Sequence, residues 1–540
     1  EVGIDVWVAG RTSSTDFPIT AGAPQTSYAG GTAEYGDGFV VRLTNTLTAT
    51  PTIAWGTYLG GSGNDSALCL LPCLGSSTVA VGGWTASTNF PMVGVPLQPV
   101  NATTLPPPAG QIGADGFVAL YAAWNGALTN TTYLGGASDD LVIDMEEMIF
   151  FFPDGLYQPT VATLVASGRT MSSNFPVTPV TALDTTLGGS QDAFLVALTP
   201  NLSVQWYGSY LGGSGDEVPS GLARSQAWTG VWVAGQTTSP DFPTTAGCLQ
   251  PQFGGGSYFG VDGFLTHIDL GVFVPSQLLY STYLGGPGDD AIMDLEVDAA
   301  SEFVTAVGLA GSPPFPHTSL GALQPTFQGG GPPPVGPTDG FVVRLDPSQA
   351  GAAQLVYGTF LGGAMGQENV MDVALRSNGN AVVTGWTLSG VFPATGSYLG
   401  NTDAFVAELS LLPNNVVRYG APSPAGCAAM HLAVDSAPAP GNTGFEVLVY
   451  GALPNAPGVL FLGAPAATAA TIPGLGLDVW LQFAPPPVGS AAVFANGGGF
   501  ARFPVPIPAG YIWGSVGLQA VWVDLGTAPC ALLLASDALR

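Results

Sequence analysis

The sequence predicts an all-β protein, a six-bladed β-propeller with four strands per blade, followed by a small β-sandwich domain. Three short motifs recur together along most of the chain. The segments between them are strand-length, and several alternate between apolar and polar residues. No stretch shows helical periodicity free of Gly and Pro, and the 77 Gly and 47 Pro instead provide the residues that form tight corners.

The three motifs keep one order, and successive copies lie 64 to 85 residues apart. The first motif, Gly-x-Thr followed by Phe-Pro, begins at Gly10, Gly83, Gly168, Gly235 and Gly385, with a degenerate copy at Gly308. The second, Asp-(Gly/Ala)-Phe, begins at Asp37, Asp115, Asp192, Asp262, Asp339 and Asp403. The third, Tyr-Leu-Gly-Gly, begins at Tyr58, Tyr133, Tyr210 and Tyr283, with Phe360 as the fifth copy. Six copies of one unit are therefore predicted over residues 1–420.

Each unit is predicted to form four strands, a to d. Strand a follows the acidic loop after Gly-Gly, and strand b ends at Gly-x-Thr. Strand c follows Asp-Gly-Phe, and strand d ends in the Tyr-Leu-Gly-Gly corner. Four short strands per repeat are what a propeller blade needs. A solenoid is the rival architecture, but its repeats usually run nearer 20–45 residues.

These motifs resemble the bacterial β-propeller repeats often called SBBP repeats. The resemblance implies a secreted or surface-associated bacterial protein, but the family carries no single activity. Residues 421–540 resemble, more loosely, a β-rich module at the C-terminal end of some secreted bacterial proteins. The matching features are Tyr-Gly to Gly-Cys at Tyr419 to Cys427, Pro-Ala-Pro-Gly-Asn at Pro438 to Asn442, and the segment from Gly517 onward. Strand-like stretches within this region predict the small sandwich.

The charge balance excludes several classes of protein. There are 37 acidic residues and 9 basic ones, all arginine, which gives a formal net charge of −28. Nucleic-acid binding needs a basic surface, so that class is excluded. No apolar run reaches the ~18–20 residues of a membrane span. Acidity, abundant small polar residues and the absence of lysine predict an exported, extracellular or cell-surface protein.

The first repeat begins with a b strand, so blade one is predicted to lack its strand a. An open strand edge invites pairing with another chain. Three solutions are open: closure in cis by the segment Met-His-Leu-Ala-Val-Asp-Ser-Ala around His431 to Ser436, residues lost before Glu1, or a strand donated by a neighbouring subunit. Donation in a head-to-tail arrangement would build an open filament.

Acidic residues at the corners between strands d and a are candidate calcium ligands, because Ca²⁺ prefers carboxylate and carbonyl oxygens. The candidates are Asp65, Asp139, Asp140, Asp216, Asp289 and Asp290. The alternative is that they hold turns through backbone N–H groups. No other cofactor is expected. The aspartate of every Asp-(Gly/Ala)-Phe motif is predicted to make a structural turn bond, since one active site would not need six copies.

The residue after the strand-b glycine varies and is the candidate ligand position. It is Arg11, Trp84, Arg169, Gln236, Leu309 and Trp386 in the six repeats. Trp and Arg on one propeller face could stack on sugars or pair with carboxylates, whereas the alternative is packing between blades. Arg42 and Arg344, at equivalent places in strand c, are predicted to face solvent.

Cysteines and histidines give little sign of catalysis. Cys427 with Cys530, and Cys69 with Cys73 across a predicted tight turn, are candidate disulfides. The three histidines lie far apart, and no metalloprotease, nucleophile-elbow or phosphate-loop pattern occurs. The prediction is a non-enzymatic structural protein of the bacterial cell surface that self-associates, with strand donation in a filament as one form. The alternative is an adhesin that binds a glycan or surface ligand.

Overall fold

A computed structural model describes most of residues 5–411 and, beyond them, the strands of the C-terminal region. Within 5–411 it leaves out residues 33–34, 45–49, 74–76, 104–106, 108–110, 151–160, 226–229, 257–258, 272–275, 299–300, 312, 314, 316–321, 330–337, 365, 377–378 and 394–399. Cys427, Cys530 and His317 therefore lie outside the described residues. In the described part of the chain, no helix is long and apolar enough to cross a membrane.

The fold is an all-β, six-bladed β-propeller, and each blade is an antiparallel sheet whose strands pair in chain order. Blade 1 has β1 (Val6–Thr12), β2 (Asp37–Thr44) and β3 (Thr52–Leu59). Blade 2 has β4 (Asp65–Cys73), β5 (Thr78–Thr85), β6 (Asp115–Ala122) and β7 (Leu128–Leu134). Blade 3 has β8 (Asp140–Phe150), β9 (Val161–Thr170), β10 (Asp192–Leu198) and β11 (Gln205–Leu211).

The remaining blades follow the same plan. Blade 4 has β12 (Glu217–Arg224), β13 (Gly230–Thr237), β14 (Asp262–Asp269) and β15 (Leu278–Leu284). Blade 5 has β16 (Ala291–Val297), β17 (Val304–Ala310), β18 (Asp339–Leu345) and β19 (Leu355–Leu361), with a 3₁₀ turn at Gly351–Gln354. Blade 6 has β20 (Glu368–Leu375), β21 (Ala381–Thr387) and β22 (Asp403–Leu409). The predicted four-strand repeat is thus confirmed in blades 2 to 5.

The chain divides into two compact units. The first comprises Glu1–Ala246, Pro251–Gly255 and Val261–Tyr283, and the second comprises Gly247–Gln250, Gly256–Gly260 and Leu284–Arg540. Blades 1 to 3 lie in the first unit and blades 5 and 6 in the second.

Among the described residues, the strands of the C-terminal region pair with one another. They are β23 (Arg418–Tyr419), β24 (His431–Val434), β25 (Glu446–Tyr450), β26 (Pro457–Gly463), β27 (Pro465–Ile472), β28 (Leu477–Leu481), β29 (Gly489–Phe494), β30 (Ala501–Pro504), β31 (Gly517–Val523) and β32 (Leu533–Leu539). They form sheets in the orders β23-β32-β31-β26-β29, β24-β25-β30 and β27-β28. In this pairing β24, the segment considered for cis closure, is hydrogen-bonded to β25.

The three motifs of a repeat meet in one aromatic cluster in each of blades 1 to 5. In blade 2 the ring of Phe90, from Phe-Pro, lies 4.6 Å from Phe117, from Asp-Gly-Phe, and 6.1 Å from Tyr133, from Tyr-Leu-Gly-Gly. The Tyr133 hydroxyl donates a hydrogen bond to the Ser87 carbonyl at 2.8 Å, so the buried phenol is satisfied. Corresponding Phe–Phe contacts in the other blades are Phe17–Phe39, Phe175–Phe194, Phe242–Phe264, Phe315–Phe341 and Phe392–Phe405.

Every strand a carries a bulge at the same place, a feature that the motifs did not predict. The register with strand b shifts between Ala67 and Cys69 in β4, and at the equivalent place in β8, β12, β16 and β20. A bulge redirects the side chains that follow it. Asp144, just after the bulge in β8, accepts the Leu222 N–H of β12 at 2.7 Å. Asp294, in β16, accepts the Val373 N–H of β20 at 2.9 Å.

Candidate functional site

The acidic residue at the start of each strand a is held inside its own blade. Asp65 accepts hydrogen bonds from the Gly61 N–H at 2.8 Å, from the Ser87 hydroxyl at 2.9 Å, and from the Thr85 hydroxyl. Thr85 ends strand b, and Ser87 follows it by two residues. The acidic side chain therefore fixes the Gly-Gly corner to the end of strand b.

The same bond to a corner glycine N–H recurs in four other blades. The donors and acceptors are Gly136 and Asp140 at 2.6 Å, Gly213 and Glu217 at 3.1 Å, Gly286 and Asp290 at 2.6 Å, and Gly363 and Glu368 at 3.2 Å.

A second acidic residue, from Asp-(Gly/Ala)-Phe, lies beside the first. A Cβ atom on Gly135 would lie 2.7 Å from Oδ1 of Asp115 and 2.7 Å from Oδ2 of Asp140. Only glycine allows the backbone to pass so close to both carboxyl groups. Asp115 also accepts the Ala102 N–H at 2.6 Å. Loop N–H groups likewise bond Asp37, Asp192, Asp262 and Asp339, so the predicted structural turn bond is confirmed for these five aspartates.

Burial makes these carboxyl groups weak acids. It raises the pKa of Asp65 and of Asp115 to about 6, against the opposing effect of their hydrogen bonds. It raises the pKa of Asp140 and of Glu217 to about 7. The neighbouring Asp115 raises the pKa of Asp140 further, because two negative charges so close together repel.

The remaining calcium candidates also accept N–H groups. Asp139 accepts those of Ile112 and Gly113, both at 2.8 Å. Asp216 accepts that of Ser190 at 2.9 Å, and Asp289 accepts that of Gly260 at 2.9 Å. Across the described residues, no three His, Cys, Asp or Glu side chains come together in a way that could hold a metal ion. The corner carboxylates accept protein N–H and O–H groups, and calcium binding at these corners stays a prediction.

A glutamine that recurs between repeats completes the corner and was missed by the sequence reasoning. In blade 2 the Gln98 side chain accepts the Gly135 N–H at 3.2 Å and donates to Asp115 at 3.2 Å. Gln324 does the same between Gly362 and Asp339, both at 3.1 Å. Leu-Gln-Pro recurs in the sequence at Leu97, Leu249 and Leu323. That recurrence was the signal that could have identified this residue.

The candidate ligand positions do not form one uniform ring of accessible side chains. Trp84 is only 5% exposed, and its ring lies 5.6 Å from that of Tyr35. The exposed Arg11 places its guanidinium 4.8 Å from the same Tyr35 ring. Arg169 donates a hydrogen bond to the Gln191 side chain at 2.7 Å. Gln236, Leu309 and Trp386 are half-buried at the ends of their b strands.

Two arginines predicted to face solvent instead join neighbouring blades, which corrects that prediction. Arg42 lies 2.5 Å from Asp5 and donates to the Ala123 carbonyl of blade 2 at 2.8 Å. Arg344 is 3% exposed, lies 3.0 Å from Asp298 and donates to the Gly379 carbonyl of blade 6 at 3.1 Å. In blades 1 and 5 the side of strand c that carries the arginine packs on the next blade, so the arginine side chain meets protein.

The predicted disulfide between Cys69 and Cys73 was wrong. Both residues lie in β4, and no disulfide joins them. Four residues along an extended strand span about 13 Å, whereas a disulfide needs Cα atoms within about 7 Å.

His267 stacks on Trp232 with ring centroids 4.4 Å apart, and burial lowers the pKa of His267 to about 4.

Blade 1 ends in a strand edge, as predicted. Its sheet has three strands in the order β1-β2-β3, so β1 is the edge strand. Val6 and Val8 on β1 are 40% and 39% exposed, whereas Val79 and Val81, at the equivalent places in blade 2, are both 0% exposed. Among the strands that the structure describes, none pairs with the outer edge of β1, and the apolar side chains of β1 are accessible.

Comparison with known proteins gave no family assignment. No family model matches the sequence, and no curated protein is significantly similar to it.

Proposed function

We propose that this chain is a secreted, non-enzymatic structural protein of the bacterial cell surface, whose copies self-associate by donation of a strand to blade 1. The observation that carries the proposal is β1, an edge strand with two accessible valines where the interior blades have buried ones. A donated strand would supply the hydrogen bonds that strand a supplies in blades 2 to 5. The SBBP-like motifs support the bacterial and secreted parts of this proposal.

The described acidic groups suit this role better than catalysis. They are bound inside each blade and repeat from blade to blade, whereas one reaction centre needs a single arrangement. The net charge of −28 would keep free subunits apart until a specific contact forms. Residues 421–540 would form the small β-sandwich that we propose for the C-terminal strands.

Electron microscopy of the natively secreted protein, with light scattering on the same sample, tests self-association. Regular filaments or defined oligomers are the expected result. A uniform species with the mass of one chain, 54.6 kDa, at every concentration would contradict the proposal.

A second candidate is an adhesin that binds glycans or another surface ligand through the b-strand ends. The exposed Arg11 beside Tyr35 favours it, since a guanidinium pairs with carboxylates and stacks on aromatic faces. A glycan array with the wild-type protein and with the Trp84→Ala, Trp386→Ala double variant tests it. Binding that survives in the double variant would remove the two tryptophans from the site.

A further inference from the structure

The residue that follows the bulge in strand a occupies an equivalent place in five blades, called here the post-bulge place. It is Cys69 in β4, Asp144 in β8, Gly221 in β12, Asp294 in β16 and Asp372 in β20. Side chains at this place in successive blades lie close together. Burial, and after it the charge of Asp144, raises the pKa of the Cys69 thiol.

At the junction of blades 3 and 4, the post-bulge place holds one carboxyl group. Asp144 accepts the Leu222 N–H at 2.7 Å. Leu222 directly follows Gly221, which has no side chain. The next blade therefore supplies no second carboxyl group at this place.

At the junction of blades 5 and 6, the same place holds two carboxyl groups. Asp294 accepts the Val373 N–H at 2.9 Å, and Val373 directly follows Asp372. The Asp294 carboxyl also makes a hydrogen bond with that of Asp372. Ionised carboxylates are acceptors only, so a hydrogen bond between these two requires a proton on one of them. Both strands, β16 and β20, belong to the second unit.

No cation in the described part of the chain compensates this pair. Neither Asp294 nor Asp372 has a described arginine within 4 Å. The next acidic group along β16 is Glu296, whose pKa is raised by burial and by the charges of Asp372 and Asp298. Asp298 itself is paired with Arg344 at 3.0 Å. The surroundings of the pair therefore favour a bound proton over two negative charges.

We infer that Asp294 and Asp372 share one proton and form a pH-sensitive latch between blades 5 and 6. With the proton in place, Asp294 donates a hydrogen bond to Asp372 and accepts the Val373 N–H, so both groups bind β16 to β20. Without the proton, two negative charges face each other across the junction, and the junction opens more readily. The latch acts within one chain and does not depend on the proposed self-association.

The shared proton is retained up to an unusually high pH. Burial, the Asp372 charge and the hydrogen bond to Asp372 raise the pKa of Asp294 to about 8, against the opposing effect of the Val373 and Leu295 N–H groups. In an opened junction, an aspartate has an ordinary pKa of about 4. Stabilisation by the latch is therefore complete below about pH 4, decreases as the pH rises, and is lost once the pH passes about 8.

Hydrogen exchange of β20, followed by mass spectrometry on the full chain at pH 6 and pH 9, tests the latch. Protection factors are corrected for the intrinsic pH dependence of exchange. Strand β12 is the internal control, because β12 and β20 both begin with a corner glutamate, Glu217 and Glu368, and only β20 faces a second carboxyl group at the post-bulge place. We expect the protection of β20 to fall about tenfold more than that of β12, since the proton is lost in this range.

Two substitutions separate a shared proton from ordinary packing. Asp294→Asn keeps an oxygen for the Val373 N–H and offers an amide N–H to Asp372, so it copies the protonated pair. Asp372→Asn leaves a single carboxylate in the junction. In each variant, the protection of β20 should fall no further than that of β12 between pH 6 and pH 9. Asp16→Asn, at an exposed aspartate in a loop, removes the same charge elsewhere and should behave like the wild type.

Three results would overturn the inference. The first is a wild-type β20 whose protection falls no more than that of β12. The second is a pair of variants that lose β20 protection at pH 9 as the wild type does, because another group would then carry the dependence. The third is equally low protection of β20 in both variants at both pH values, which would mean that the aspartates only support packing. If Asp294→Asn does not fold, Asp372→Asn decides between these results.

Discussion

Val81 in blade 2 and Val8 in blade 1 occupy the same place in their repeats, but Val81 is fully buried and Val8 is 39% exposed. The same contrast separates Val118 in blade 2 from Val406 in blade 6. The interior and terminal blades share their local sequence pattern, so the difference comes from what lies next to each sheet. A repeat motif therefore specifies a blade, whereas burial of the blade's faces depends on its neighbours.

The largest expected effect compares the two valines directly. Val81→Asp puts an unpaired charge in a closed core, and we expect it to lower the free energy of unfolding by about 3–5 kcal/mol. Val8→Asp should cost less than about 1 kcal/mol in the monomer, because its carboxylate stays hydrated. Urea unfolding followed by tryptophan fluorescence measures both. Equal losses would mean that the Val8 side chain is covered in the monomer.

A second contrast concerns two ion pairs in the second unit. Arg344–Asp298 is buried, with side chains 4% and 11% exposed, whereas Arg376–Glu408 is open, at 57% and 42%. Arg344→Met leaves Asp298 without its cation and should lower the free energy of unfolding by about 3 kcal/mol. Arg376→Met should change it by less than about 1 kcal/mol. Thermal unfolding of the two variants measures both losses of stability. A larger loss for Arg376→Met would mean that the exposed ion pair stabilises the fold more than the buried one.

The buried acidic residues at the start of each strand a predict a pH dependence of the free energy of unfolding that exposed carboxylates would not show. Burial raises the pKa of Asp140 to about 7, so the folded protein holds a proton that the unfolded chain releases. This contribution is fully present below about pH 4, the ordinary pKa of an aspartate, and is lost as the pH rises to the folded pKa of about 7. Between pH 5.5 and 8 the free energy of unfolding falls by an amount on the order of 1–2 kcal/mol for this group. His267 acts in the opposite direction below about pH 6.5, because burial lowers its pKa to about 4.

Asp140→Asn tests this dependence by removing the titrating proton. The free energy of unfolding of the variant should change less between pH 5.5 and 8 than that of the wild type. Asp241→Asn is the control, since Asp241 lies in an exposed loop and its hydrogen bonds to Ser214 lower its pKa. An unchanged pH profile in Asp140→Asn would show that Asp140 ionises normally in the folded protein.

The smallest effect concerns calcium. The described corner carboxylates accept protein N–H and O–H groups, so removal of divalent cations with EDTA should leave the melting temperature unchanged. A lower melting temperature that calcium restores would show that a site exists elsewhere in the chain or that the corners bind the ion after rearrangement.

The sequence was sufficient to predict features that depend on the residues of a single repeat. Strand b of blade 2 ends at Thr85 and strand c begins at Asp115, as Gly-x-Thr and Asp-Gly-Phe predicted. The turn role of Asp115 also followed from its repetition. These features depend on residues close in sequence or on a motif that recurs, so a pattern reveals them.

Contacts between blades were less predictable. Asp144 accepts a hydrogen bond from the Leu222 N–H, which lies 78 positions further along the chain. The bulge that directs the Asp144 side chain toward this N–H is not marked by any motif. The burial of Arg344 likewise depends on Gly379 and Asp298 from other segments. The Cys69–Cys73 error came from placing a turn where the strand continues to Cys73.

The aromatic cluster has a consequence for how such a chain can change in length. Phe90, Phe117 and Tyr133 all come from one repeat, as do Asp65, Thr85 and Ser87 at the corner. A duplication or deletion that removes one whole repeat would keep each remaining set of partners together. Recombination at repeat boundaries can thus alter the number of blades without inventing a new core, and only the angle between neighbours must adjust.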